Sequence, residues 1–290
     1  MADGDYERGR GREIAAIAAE LRRLAADRTS ATCETSVGPV LVLNGWSASP
    51  RAWDLCRFPR ERVFSYVDQL DGLPEARISS AAPGERFVLV GWSMGGSSAL
   101  RLACRFPGRV AALVLVAATP RMMEDKATGW RGMSPRRLAA LEYGLKATHG
   151  EGFFGAPEGR PNPYMMDSDE NLARGLDYLR ETDLRDELAR ARLACPARIL
   201  QSERDGIVRA DNARFLGSVI ADSAVEMVPG AEHALPVTVP DRIDAAVMHF
   251  LGANATGTTC LDSGAETRNP QCLCASALKA EDSRLEGGET

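Results

Sequence analysis

Short runs of almost continuously apolar residues alternate along this chain with longer stretches where apolar positions recur every three or four residues. The apolar runs fall at 39–43, 62–68, 87–90, 110–117, 197–201 and 224–228. Uninterrupted apolar runs separated by helical stretches predict strands of a parallel sheet buried on both faces. Helical spacing appears at 12–27, where Ile14, Ile17, Leu21 and Leu24 recur between charges, and again at 97–103 and in a final stretch at 243–250. Between the fourth and fifth strands lies an insert, about 120–185, with helical patterns at 134–147 and 169–180 and a Gly/Pro-rich piece from Gly150 to Pro163. The expectation is an α/β fold: a mostly parallel sheet with helices on both faces and a helical cap inserted after the strand at 110–117. Residues 1–38 are expected to form an N-terminal helical extension and 39–251 the main domain. Residues 252–290, rich in Gly, Ala, Ser, Thr and charge, are expected to form a disordered tail.

Composition narrows the class without naming it. The 290 residues can bury a substantial core, and a net charge of −5 argues against broad nucleic-acid binding. No apolar run is long enough to span a bilayer, and the first residues lack a basic start followed by an apolar stretch, so neither a membrane span nor a signal peptide is expected. Seven scattered cysteines suit free thiols in a reducing cytoplasm better than a disulfide framework. Cys260, Cys272 and Cys274 cluster in the tail without a histidine or Cys-x-x-Cys partner, so no metal is expected there, and no cofactor elsewhere.

The chemistry concentrates after the third strand. Gly91-Trp92-Ser93-Met94-Gly95 runs from that strand into a small-residue helix. Strand, glycine-flanked serine and helix, in that order, are what a nucleophile elbow requires: the turn is so tight that flanking side chains cannot be accommodated. Ser93 would stand at the top of the sheet beside the positive end of a helix dipole. A serine hydroxyl needs a base. Of the three histidines, His249 lies in the final helix and His149 in the insert, whereas His233 follows the sixth strand at its carboxyl end. The histidine needs a carboxylate to hold its tautomer. Asp205, in the turn after the fifth strand, is favoured over Glu203, two residues earlier. The order Ser93, Asp205, His233 matches that of α/β-hydrolases. Two backbone donors must face the developing oxyanion: the amide of Met94, and that of Trp46 in the loop Asn44-Gly45-Trp46 after the first strand. Trp46, Trp92, Met94, Phe153 and Phe154 are the expected substrate contacts.

Four stretches make the chain resemble a known group: 41–53 (LVLNGWSASPRAW), 91–119, 176–186 (LDYLRETDLRD), and the loops around Asp205-Gly206 and Glu232-His233-Ala234. They are similar to the pimeloyl-acyl-carrier-protein methyl ester esterases of biotin synthesis, within the α/β-hydrolase superfamily. The resemblance implies a serine esterase that removes the methyl ester from a pimeloyl chain held on acyl carrier protein. It also implies that the acidic carrier docks on a basic cap. Residues 121–160 hold seven bases against five acids, about +2 in a chain of −5. Arg121, Arg131, Arg136, Arg137 and Lys146 are the docking residues this suggests. Asn44 stands where many superfamily members carry histidine, and the cap is shorter than expected of the group. Two other readings compete: a general small-acyl carboxylesterase or thioesterase, and a ligand-binding receptor on the same fold. The former shares every catalytic residue; the latter would not be acylated at Ser93. A cytoplasmic monomer is expected.

Overall fold

The structure, a computed structural model, describes residues 37–148 and 159–253. Six strands, β1 (Val37–Leu43), β2 (Arg62–Phe64), β3 (Arg86–Trp92), β4 (Val110–Val116), β5 (Ala197–Ser202) and β6 (Ser223–Val228), form one sheet in the order β2-β1-β3-β4-β5-β6. Every neighbouring pair is parallel. The helices are α1 (Tyr66–Leu70), α2 (Leu73–Ser79), α3 (Met94–Arg105), α4 (Pro135–Thr148), α5 (Asp169–Glu181), α6 (Arg185–Ala191), α7 (Ala210–Val219), α8 (Leu235–Thr238) and α9 (Pro240–Ala253).

Period-two alternation divides the core. Val40, Val42, Val88, Val90, Val114 and Val116 point to one face, where Trp53 and the Ile243, Val247 and Phe250 side of α9 cover them. Leu41, Leu43, Leu89, Leu113 and Leu115 point to the other, against Ile78, Leu100, Leu102 and Leu216. Both faces are dry, which is why the strands read as continuous apolar runs. The two edge strands are less covered: in β2 only Phe64 is buried, and in β6 only Val228.

One element departs from expectation. The run 62–68 is a strand only as far as Phe64. Ser65 caps α1: its hydroxyl accepts from Asp68 N at 3.1 Å, while Asp68 Oδ2 accepts from Ser65 N at 2.8 Å. This reciprocal box satisfies two helix-end donors, and apolar Val67 belongs to a helix. The Ser-x-x-Asp spacing is the local sequence signal for this helix start.

The chain leaves β1 toward β2 on one side, then crosses back to β3 on the other, so the direction of winding reverses between β1 and β3. The ends of these strands splay into a crevice at such a switch point, where ligands bind in open parallel sheets. The loop 44–49 and Ser93 both lie there. The insert between β4 and β5 carries α4 and α5. Their apolar stripes, Leu138, Leu141 and Leu145 and Leu172, Leu176 and Leu179, pack into the same cluster as Trp46, Trp92 and Met94. The expected helix at 12–27 and nearly all of the expected tail lie outside the described residues.

Candidate active site

Ser93 occupies a backbone conformation that side chains rarely adopt, φ 55 and ψ −119, between the end of β3 and the start of α3. The glycines around it are required by close approach. A Cβ on Gly95 would sit 2.0 Å from the Leu43 carbonyl oxygen, and one on Gly91 would sit 2.5 Å from that of Gly95. Gly96, which the motif did not single out, is equally confined, 2.3 Å from Ala118 Cβ. The strain is held by packing on every side, the usual setting for such an outlier.

His233 follows β6 and is 3% exposed; the Asp205 side chain is fully buried. His233 Nδ1 lies 2.7 Å from Asp205 Oδ2. A carboxylate can only accept, so Nδ1 carries the proton and Nε2 is left as an acceptor. Asp205 Oδ1 accepts from the Ile207 and Val208 amides, each at 2.8 Å, and Oδ2 accepts from Gln201 Nε2 at 3.3 Å. Glu203, the alternative acid, is exposed to solvent. The histidine loop is tied down independently: Trp92 Nε1 donates to the His233 carbonyl at 3.0 Å, and the two rings lie tilted with centroids 5.7 Å apart. Ser202 Oγ donates to the Ala231 carbonyl.

The loop after β1 is shaped by Asn44, which is completely buried. Its Nδ2 donates to the Ala48 carbonyl at 2.9 Å, its Oδ1 accepts from Trp53 Nε1 at 3.1 Å, and its carbonyl accepts from Gln69 Nε2 at 2.8 Å. An amide side chain offers a donor and an acceptor at one site, and both are used. Gly45 is then packed against Ser93, where a Cβ would lie 3.3 Å from the serine Cβ. Among the described residues, no acceptor takes the backbone N–H of Trp46 or of Met94.

Ser93 and His233 open onto one narrow pocket, lined also by Trp46, Trp92, Tyr164 and Leu179 among others. Tyr164 was not anticipated. It reaches in from the insert, lies tilted against Trp92 with ring centroids 5.9 Å apart, and burial raises its phenol well above the ordinary value, so it stays neutral. Met94 is buried at the core beside the pocket. Phe153, Phe154, His149 and the tail cysteines lie outside the described residues.

The basic residues of the insert do not form one free patch. Arg121 pairs with Asp183, Lys146 with Glu142 at 3.0 Å and Asp169 at 2.8 Å, and Arg137 donates to the Gly206 carbonyl at 2.6 Å, beside Asp205. Arg131 and Arg136 are exposed, Arg131 coming no closer than 3.9 Å to Asp211. His249 lies on the exposed face of α9, 3.0 Å from Arg198. Among the described residues, no three His, Cys, Asp or Glu side chains converge as metal ligands do, and no helix is long and apolar enough to cross a membrane.

Comparison with known proteins adds three findings. The family model described as "Alpha/beta hydrolase family" matches residues 18–246. The chain is 29% identical to a pimeloyl-[acyl-carrier protein] methyl ester esterase of Pectobacterium carotovorum over 247 residues, covering 74% of this chain and 94% of that relative. It is likewise 29% identical to the same-named protein of Vibrio vulnificus over 252 residues, with 74% and 95% covered. Among solved structures, an esterase from Exiguobacterium antarcticum superposes with a TM-score of 0.60 at 19% identity, covering 75% of this chain and 93% of that one.

Proposed function

Because this chain belongs to the alpha/beta hydrolase family, we propose that it is a serine esterase whose substrate is the methyl ester of a pimeloyl chain carried on acyl carrier protein, a step of biotin synthesis. One observation carries the catalytic reading: a strained serine shares a pocket with a buried histidine whose other nitrogen is held by a buried carboxylate. The substrate is supported by the names of relatives that match along nearly their whole length.

Ser93 Oγ attacks the ester carbonyl carbon while His233 Nε2 takes the hydroxyl proton. Asp205 keeps Nδ1–H in place and offsets the imidazolium charge. The carbonyl oxygen becomes an oxyanion, received by the Trp46 and Met94 amides and the N-terminal end of α3. Collapse breaks the bond to the methoxy oxygen, which leaves as methanol with the proton from His233. Water, deprotonated by His233, then attacks the acyl-Ser93 ester. The free acid leaves and the serine recovers its proton. Acyl carrier proteins are acidic, and Arg131 and Arg136 are the exposed bases proposed to receive one. The buried thiols Cys56 and Cys195 fit a reducing cytoplasm, and a monomer is proposed.

The test is hydrolysis of the carrier-bound methyl pimeloyl ester, followed by mass loss of the methyl group. The protein is expected to convert it, with Ser93→Ala reduced to background, and to restore growth of a biotin-requiring strain lacking its own esterase. Turnover retained by Ser93→Ala would overturn the nucleophile. Cleavage of small esters with none of the carrier-bound ester would make the protein a general carboxylesterase instead.

A further inference from the structure

Gly175 is buried in the middle of α5. Glycine is a poor helix former, so its place there calls for a reason in the space around it. A Cβ at Gly175 would fall 2.4 Å from Trp46 Cδ1, 2.9 Å from Trp46 Nε1 and 3.1 Å from Tyr66 Cδ2. One turn earlier on the same helix face, the Leu172 carbonyl accepts a hydrogen bond from Trp46 Nε1 at 3.0 Å. The Trp46 indole is therefore wedged edge-on against α5 and bonded to it. At 7% exposure it has little room to swing aside.

The residues after Trp46 are tied to the same insert. The Ser47 carbonyl accepts from Met165 N at 2.9 Å, and Ser47 Oγ donates to the Met165 carbonyl. Ala48 bridges antiparallel to Tyr164, and Ser49 N donates to the Pro163 carbonyl at 2.8 Å. The residues before Trp46 answer to the main domain instead: the Asn44 amide donates to the Phe64 carbonyl of β2 at 3.0 Å, Gln69 and Trp53 hold the rest of Asn44, and Gly45 abuts Ser93. Trp46 sits at the junction. Its amide belongs to the serine site and its indole to the insert.

We propose that Gly175 and the Leu172 carbonyl are positioning residues for the oxyanion site: by fixing the Trp46 ring they aim the Trp46 amide, so that this donor is in place only while α5 is seated. The inference rests on the reading of Trp46 N–H as an oxyanion donor. A donor that is displaced rather than deleted weakens the transition state and leaves ground-state binding nearly alone, so the effect falls on kcat and not on KM.

Gly175→Ala places a methyl group against the indole. Loss of an oxyanion donor costs about 100-fold or more, and a displaced one is expected to cost at least about tenfold in kcat on a p-nitrophenyl ester, with KM within about twofold. The rate of Ser93 phosphonylation by a fluorophosphonate should fall in parallel, since it needs the same oxygen pocket. In Trp46→Phe the ring loses its bond to Leu172, and kcat is again expected to fall about tenfold. Combining Trp46→Ala with Gly175→Ala removes the Trp46 ring atoms that the methyl meets, so the double variant should be no slower than Trp46→Ala alone; such non-additivity marks direct contact. A purely structural glycine would lower Tm and leave kcat per phosphonate-titrated site unchanged, which would overturn the proposal. If Gly175→Ala does not fold, Trp46→Phe decides, and unchanged kcat there also overturns it. Wild-type protein that takes no phosphonate and cleaves no ester would instead sink the esterase reading itself.

Discussion

A serine hydroxyl is almost wholly protonated at neutral pH and becomes a nucleophile only through what surrounds it. Around Ser93 that environment is built from residues with few alternatives: Gly91, Gly95 and Gly96 leave no room for a methyl group, and Asn44 uses both ends of its amide. The acid is the point where two nearby carboxylates had to be told apart. Asp205 is buried with two backbone amides, Gln201 and His233 on its oxygens, whereas Glu203 faces solvent. Asp205→Asn keeps the shape but offers Nδ1 a donor as readily as an acceptor, and it removes the charge that offsets the imidazolium. Loss of kcat by about 1,000-fold or more is expected, while Glu203→Gln should stay within about twofold. Comparable losses in both would reverse the assignment.

At the scale of elements, the insert is fastened by an ionic knot as well as by its leucines. Arg185, at the start of α6, donates to Asp183 at 2.8 Å, to Asp125 at 2.9 Å and to Thr128 at 2.8 Å, and lies 5.2 Å over the Trp130 ring, which meets Phe215 of α7 edge-on. Hydrogen bonding to the Arg185 guanidinium pulls both carboxyls below their usual range, to about 2 for Asp125 and about 2 for Asp183. A carboxyl whose folded value is depressed contributes stability above its unfolded value, and that contribution disappears as pH falls through the folded one. The knot is therefore intact at pH 5 and above and is lost between about pH 4 and pH 2. Thermal melts should show wild-type Tm dropping more steeply over that interval than the Tm of Asp183→Asn, with the gap between them closing by pH 2. Parallel curves would show that the knot adds nothing. No periodicity announces this arrangement, since it joins positions about sixty residues apart. The helices α4 and α5 themselves were legible from apolar spacing, and the shortening of β2 was legible only from its cap.

Across the fold, the decisive feature is the reversal of winding between β1 and β3, which brings the Asn44-Gly45-Trp46 loop and the serine to one crevice, beside the insert between β4 and β5. Charge is also distributed at this scale. The chain is negative overall, yet the insert offers exposed Arg131 and Arg136, while Arg121, Arg137 and Lys146 are spent on internal partners. Arg137 supports the loop beside Asp205, so reversing its charge would confuse docking with catalysis. Arg131→Glu with Arg136→Glu is the cleaner probe. It should lower kcat/KM on the carrier-linked ester by about tenfold at low ionic strength, with far less change on a small ester, and the difference should shrink as salt screens the contact. Equal effects on both esters would remove these arginines from carrier docking.

Side-chain period and local sterics were enough to give the alternation of strands and helices, the sharp turn at Ser93, and the order in which a serine, an acid and a histidine follow the third, fifth and sixth strands. All of these are local: they depend on side-chain period and on the room that glycine leaves within a few residues. The tertiary structure decided what depends on distant parts of the chain meeting. It separated Asp205 from Glu203 by burial, sent Tyr164 of the insert against Trp92, divided the basic residues into engaged and exposed, and set the Trp46 indole on a carbonyl 126 positions away. Such contacts leave no periodic trace, because each is a single close approach between elements that only the packed sheet and its insert bring together.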